Sequence, residues 1–133
     1  MTALPDFDTI AETFSLLDDW DDRYAYLIDL GKALPAYPDA AKTDAHQVEG
    51  CTSQVWMVTS RDKDGRLSIL AESDALIVRG LIGVLMAIYH GTTAEEARVI
   101  DIQDRFAMLG LSSHLSPNRR NGFFAMVERV RVA

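Results

Sequence analysis

The stretch Gln54 to Ala71, QVWMVTSRDKDGRLSILA, followed closely by Ala75 to Tyr89, ALIVRGLIGVLMAIY, decides the class of fold. In its first half Val55, Met57 and Thr59 alternate with Gln54, Trp56 and Val58, the two-residue period of a strand with one buried face. That run ends in Arg61-Asp62-Lys63-Asp64-Gly65, and a second β-rich run, Leu67 to Ala71, follows directly. Two such runs around a turn holding Asp-Gly predict an antiparallel hairpin, with a connection too long for a two-residue turn. A lone hairpin is marginal in water, so helices must cover one of its faces. The next segment supplies a helix. Leu76, Ile77, Gly80, Leu81, Val84, Leu85 and Ile88 make nearly every inward position apolar, and Ser73 or Asp74 is placed to cap it. The run is shorter than the roughly 20 residues of a membrane span and carries Arg79 inside it, which predicts a buried central helix and no membrane partner.

Outward from this unit the pattern is helical on both sides. Phe7, Ile10, Phe14 and Leu17 stand at helical spacing, with Thr9 and Glu12 in the form of a capping box. Asp18, Asp19, Asp21 and Asp22 suit the start of a second helix, where negative charge meets the positive end of the helix dipole. That helix carries Tyr24, Leu27, Ile28, Gly31 and Leu34 on one face and stops at Pro35. From Pro35 to Gly50 the pattern dissolves into a long polar connection of the kind that often has a function. On the other side, the central helix ends at His90-Gly91. Thr92 with Glu95 forms a second capping-box signature for a short helix, and another helix starts near Asp101 with Ile102, Phe106 and Leu109 inward. Ser116-Pro117 opens the last helix, whose stripe is Phe123, Met126, Val127 and Val130. Gly122 inside that helix costs about 1 kcal/mol relative to alanine, so it marks a place of close backbone approach.

The 133 residues, 48% hydrophobic and 25% charged, fit a single domain over 1–133 with a real core. A formal charge of −7 repels a phosphate backbone and argues against a nucleic-acid partner. The N-terminus, MTALPDFDTIAETF, has acidic residues where a signal peptide needs a basic start, so a cytoplasmic protein is expected. One cysteine rules out an internal disulfide and any CxxC-type zinc or redox site. Cys51 follows Gly50 at the junction of the long connection with the first strand, where a sulfur can be presented to a partner; an inert, buried thiol fits the same position. His46, His90 and His114 have no metal-ligand spacing with Cys51. His46 or His114 is available as the base of a cysteine-dependent hydrolase or transferase, and a pure interaction module is a further alternative. Arg119, Arg120, Arg129 and Arg131 suit an anion or an acidic partner, or form a solvated helix face. Asn118 to Gly122 places polar and flexible residues within a good helix, a conflict that accumulates at functional surfaces.

Four strings carry a resemblance: YAYLIDLGKALP from Tyr24 to Pro35, VEGCTSQVW from Val48 to Trp56, SDALIVRGL from Ser73 to Leu81, and HLSPNRRNG from His114 to Gly122. Together and in this order they resemble SufE-type sulfur-acceptor proteins (the SufE/CsdE family), from about residue 20 to the C-terminus. The resemblance implies an α+β fold, a small antiparallel sheet covered by helices, SufE/NifU-like. It implies that Cys51 is the sulfur-accepting cysteine, loaded as a persulfide and then unloaded, with Asp74 and Arg119 near its loop or at the partner surface. Asp74 as a plain helix cap and Arg119 as a plain first-turn residue fit the same strings. The implied partners are a cysteine desulfurase of SufS type, which itself uses pyridoxal phosphate, and an iron–sulfur scaffold complex of SufBCD type. No bound cofactor or metal is implied for this chain. A Csd-type desulfurase is the alternative partner. The chain departs from the common pattern at Thr52 and Asn118, which bears on the choice of partner and not on the thiol.

Overall fold

The computed structural model describes residues 4–51 and 53–133. The hairpin forms as β1 (Val55–Arg61) and β2 (Leu67–Ser73), antiparallel, in a register running from Val55 opposite Ser73 to Arg61 opposite Leu67. Its connection is built around Asp62, whose carboxylate accepts from the backbone N–H groups of Asp64 and Arg66 at 2.9 Å each. Gly65 completes the turn at φ +79°, a left-handed conformation that favours glycine. The register puts Val55, Met57, Leu67, Ile69, Ala71 and Ser73 on one buried face.

Seven helices surround this hairpin among the described residues: α1 (Phe7–Leu16), α2 (Trp20–Lys32), α3 (Leu76–Tyr89), α4 (Ala94–Val99), α5 (Ile102–Met108), α6 (Leu111–His114) and α7 (Pro117–Arg131). The architecture is therefore the expected α+β, a two-stranded antiparallel sheet covered by helices. Single helical turns at Asp39–Ala41 and Asp44–His46 interrupt the long connection before Cys51. α3 is the centre. It packs on α2, β2, α7 and α1, and its residues from Gly80 to Met86 are all buried.

The contact between α2 and α3 is a backbone contact. A Cβ placed on Gly80 would lie 2.2 Å from the carbonyl oxygen of Leu27, and one on Gly31 would lie 2.8 Å from the Cβ of Arg79. Leu27, Leu30 and Gly31 form the buried line of α2; Ile28, expected inward, sits at its margin. Leu76 also departs from expectation, at 58% exposed. The buried line of α3 runs through Val78, Leu81 and Leu85, and Leu76, two residues before Val78, points to nearly the opposite side of the helix.

The helix caps follow the expected chemistry with shifted positions. Asp6, not Thr9, caps α1, accepting from the Thr9 N–H at 2.8 Å, and Asp19 caps α2. The capping box of α4 pairs Thr93 with Glu96, one residue later than Thr92 with Glu95, because the Thr92 hydroxyl is already donated to the Tyr89 carbonyl, closing α3. Ser116 caps α7 as read from the sequence, and Asp101, near the expected helix start, is the cap of α5. Neither Ser73 nor Asp74 is the N-cap of α3, which is Ala75. The Ser73 hydroxyl accepts the Ala75 N–H at 3.2 Å, and Asp74 is engaged elsewhere. No helix among the described residues is long and apolar enough to cross a membrane.

The packing of α2 on α3 makes Gly80→Ala costly. The added methyl must drive two backbones apart, and this outweighs the propensity gain of alanine, for a net loss of about 1–3 kcal/mol. Urea unfolding should show a midpoint well below that of the parent; an unchanged midpoint would contradict the close approach.

Candidate functional site

Cys51 is delivered to its place by Gly50, whose φ of +89° turns the chain where the long connection meets β1. The thiol is half-buried and lies over α7, with its Sγ 3.5 Å from the Gly122 carbonyl oxygen, to which the S–H donates. A Cβ on Gly122 would sit 3.5 Å from that sulfur and 3.8 Å from the Cys51 Cβ. A methyl at this position would therefore meet the cysteine at ordinary contact distance, and the close backbone approach expected from the sequence is a side-chain contact with Cys51 that does not by itself demand glycine.

Beside the sulfur is a cleft of about 410 Å³. Its apolar wall comes from three elements: Val55 of β1, Val78 and Leu81 of α3, and Phe123 and Met126 of α7. Ser53, Ser116, Asn118 and Arg119 supply its polar side. Arg119 reaches the cleft because Ser116 and Pro117 start α7 beside it, the Ser116 hydroxyl accepting the Arg119 N–H at 3.3 Å. Asp74 is exposed and does not line the cleft. Its carboxylate accepts the Gln54 N–H at 3.1 Å, so it ties the start of α3 to the backbone three residues after Cys51. Arg119 and Asp74 therefore flank the thiol's segment in different ways, one at the cleft and one on the chain beyond it. Thr52 lies outside the described residues.

Neither histidine meets the cysteine. His46 is not among the cleft residues, and its Nδ1 lies 3.0 Å from the Thr43 hydroxyl. His114 stacks on Trp20 with ring centroids 3.8 Å apart and has its Nδ1 3.1 Å from the Gly110 carbonyl. Among the described residues, neither of these histidines is aligned with the thiol as the base a cysteine hydrolase needs. No group of three or more His, Cys, Asp or Glu side chains suited to a metal ion occurs among the described residues.

Burial pushes the Cys51 thiol above its ordinary pKa. The resting sulfur is a neutral thiol and a weak nucleophile. The sequence reading missed the cleft wall. Val55, Val78, Leu81, Phe123 and Met126 carry the periodic signal of core residues, and nothing in that signal separates a residue bordering a void from one inside the packed core.

Two measurements check this geometry. The raised pKa predicts that the alkylation rate of Cys51 in the folded protein rises at higher pH than in the same protein unfolded in urea. Linkage gives the same sign: with the folded pKa above the unfolded one, the thiol's contribution to stability is intact below the unfolded value and is lost as pH rises through the folded value. A profile at or below that of the unfolded chain would contradict the buried, neutral thiol. Gly122→Ala should retain or gain stability by up to about 1 kcal/mol, because its methyl finds ordinary contact distance, while alkylation slows as the methyl covers the sulfur.

Comparison with known proteins agrees with this fold. The family model SufE, described as an Fe-S metabolism associated domain, matches residues 8–133. A SufE-like protein of Rhizobium meliloti is 45% identical over 134 residues, spanning 98% of this chain and 94% of that protein. A SufE-like protein of Rhizobium etli is 44% identical over 127 residues, spanning 93% and 86% respectively. The solution structure of a hypothetical protein from Thermus thermophilus superposes with a TM-score of 0.75 at 18% identity, over 98% of this chain and 94% of that one, which shows a shared fold.

Proposed function

The chain belongs to the SufE family, associated with Fe–S metabolism, and on that premise we propose that it is a sulfur acceptor that takes persulfide sulfur from a cysteine desulfurase onto Cys51. The observation that carries this reading is the placement of the one cysteine of the chain on Gly122, at the edge of a cleft. In the acceptance step the Cys51 thiolate attacks the outer sulfur of the desulfurase Cys–S–SH. A new S–S bond forms at Cys51 as the old one breaks, and the desulfurase cysteine leaves as a thiolate. The sulfane sulfur moves without net oxidation or reduction, as in thiol–disulfide exchange. Delivery repeats the exchange on an acceptor thiol of the iron–sulfur scaffold.

A carrier makes two demands of its thiol. Between transfers the sulfur needs shelter from oxidants and reductants, and a largely apolar cleft beside the thiol has room for one more sulfur atom. During transfer it needs ionisation and reach, both of which require Cys51 to leave the burial that raises its pKa. The thiol is therefore sheltered when the protein is alone and extended when the desulfurase is bound. Arg119 at the cleft and Asp74 on the chain beyond Cys51 are the residues we assign to the partner surface. A desulfurase of SufS type, carrying its own pyridoxal phosphate, and a scaffold of SufBCD type are the partners this reading names. The cytoplasm, whose reducing poise keeps such a thiol free, is its compartment.

Incubation with a SufS-type desulfurase and cysteine should add reductant-sensitive sulfur to the intact mass of the protein and accelerate the desulfurase. Cys51→Ser should gain no sulfur and give no acceleration. Sulfuration of Cys51→Ser to the level of the parent would remove Cys51 from the mechanism.

A further inference from the structure

We propose that Arg129 is a positioning residue that clamps the root of the Cys51 loop to α7, so that the thiol's excursion is confined to the residues beyond the clamp. The proposal rests on the reading of Cys51 as a sulfur acceptor. Gly122, Ala125 and Arg129 stand three and four positions apart and share one face of α7. The segment from Ala45 to Cys51 lies along that face in the opposite direction. Cys51 sits on Gly122, and Gly50 comes so near Ala125 that a Cβ on the glycine would be 3.3 Å from the alanine methyl. At the far end the Arg129 guanidinium donates from Nη1 to the Gln47 carbonyl at 3.1 Å and from Nη2 to the Ala45 carbonyl at 3.2 Å.

The two ends are held very differently. At the root, a two-pronged, charge-assisted pair of hydrogen bonds fixes two successive parts of the chain. The same root is bound on its other side to β1, through the Val48 N–H to the Val55 carbonyl at 2.8 Å and the bridge of Gln47 to Trp56. At the tip, the hydrogen bond of Cys51 among the described residues is a long contact from a weak thiol donor. Gly50, already in the left-handed region, lies between them and is the natural pivot. Among the described residues the tip is held by this weak contact and by the packing of Cys51 and Gly50 on α7, so it is the looser end, and the clamp at the root limits how far it can swing. A clamp placed this way shortens the mobile segment and so lowers the ordering entropy to be spent when the loop docks in a partner. The other basic residues of α7 do not share this role: Arg131 donates to the Ile100 carbonyl, and Arg120 to the Ser112 carbonyl.

The test uses the full chain as Arg129→Ala, Arg129→Lys and Arg131→Ala beside the parent, each checked for folding by urea unfolding. Two rates are read: iodoacetamide alkylation of Cys51 in the free protein, and sulfur loading from a cysteine desulfurase at varied acceptor concentration. Arg129→Ala should alkylate about tenfold faster, equivalent to about 1.4 kcal/mol of lost restraint. Its KM in sulfur loading should rise while kcat stays near that of the parent. Arg129→Lys, which keeps the charge without the two-pronged fork, should fall between the two and carries the comparison if Arg129→Ala does not fold. Arg131→Ala should match the parent. Parent-like alkylation in both Arg129 variants, or an equal acceleration in Arg131→Ala, overturns the clamp. If the parent itself takes up no sulfur, the acceptor reading fails, and the alkylation series still decides whether Arg129 restrains the loop.

Discussion

An almost wholly apolar helix must be covered on every side, and α3 imposes that requirement on the rest of the molecule. Its residues from Gly80 to Met86 are buried without a break, so no single neighbour suffices. α2 covers one side through the backbone contact at Gly31 and Gly80, β2 and α7 cover others, and α1 adds a further contact. The two-stranded sheet, too small to bury its own face, gains a core from the same helix. Gly80 is the tightest point of this arrangement, because the space a side chain needs is filled by the Leu27 carbonyl.

The cleft beside Cys51 is a consequence of that packing. Val78 and Leu81 of α3, Val55 of β1, and Phe123 and Met126 of α7 converge without closing completely, and the cysteine lies at the gap. Its environment combines two opposed properties. Apolar walls would shelter a sulfur held there, as the proposed function requires, and by the same desolvation they favour the protonated, less reactive thiol. A catalytic cysteine in a hydrolase resolves this conflict with an adjacent histidine. Here His46 and His114 are engaged elsewhere, and the proposed function relies instead on movement of the thiol for its ionisation. A carrier that reacts only when docked suits such a site, since premature exchange would discard the sulfur.

Acidic and basic residues that look alike in the sequence separate into distinct tasks. Asp19 caps α2, Asp62 builds the hairpin turn, and Asp74, which reads as a helix cap, instead accepts the Gln54 N–H across the site. Among the arginines of the last helix, Arg119 borders the cleft while Arg129 grips the chain leading to Cys51. A side chain's charge is visible in the sequence. Its partner depends on which segments the fold brings alongside, and for Arg129 that partner lies more than 80 positions away.

Read alone, the chain settles the hairpin, the central helix, the cap at Ser116, a helix start near Asp101, and through four ordered strings the family. These are properties of local period, backbone conformation and motif order, and they are encoded within a few neighbouring residues. The capping box read at Thr92 was one residue early because that hydroxyl closes the preceding helix, a competition that local pattern does not rank. What Gly122 approaches, which apolar residues border a void, where Leu76 points and what Arg129 holds were decided by tertiary structure. Each depends on contacts between residues remote in sequence, and close packing around α3 selects those contacts only when all the elements are in place.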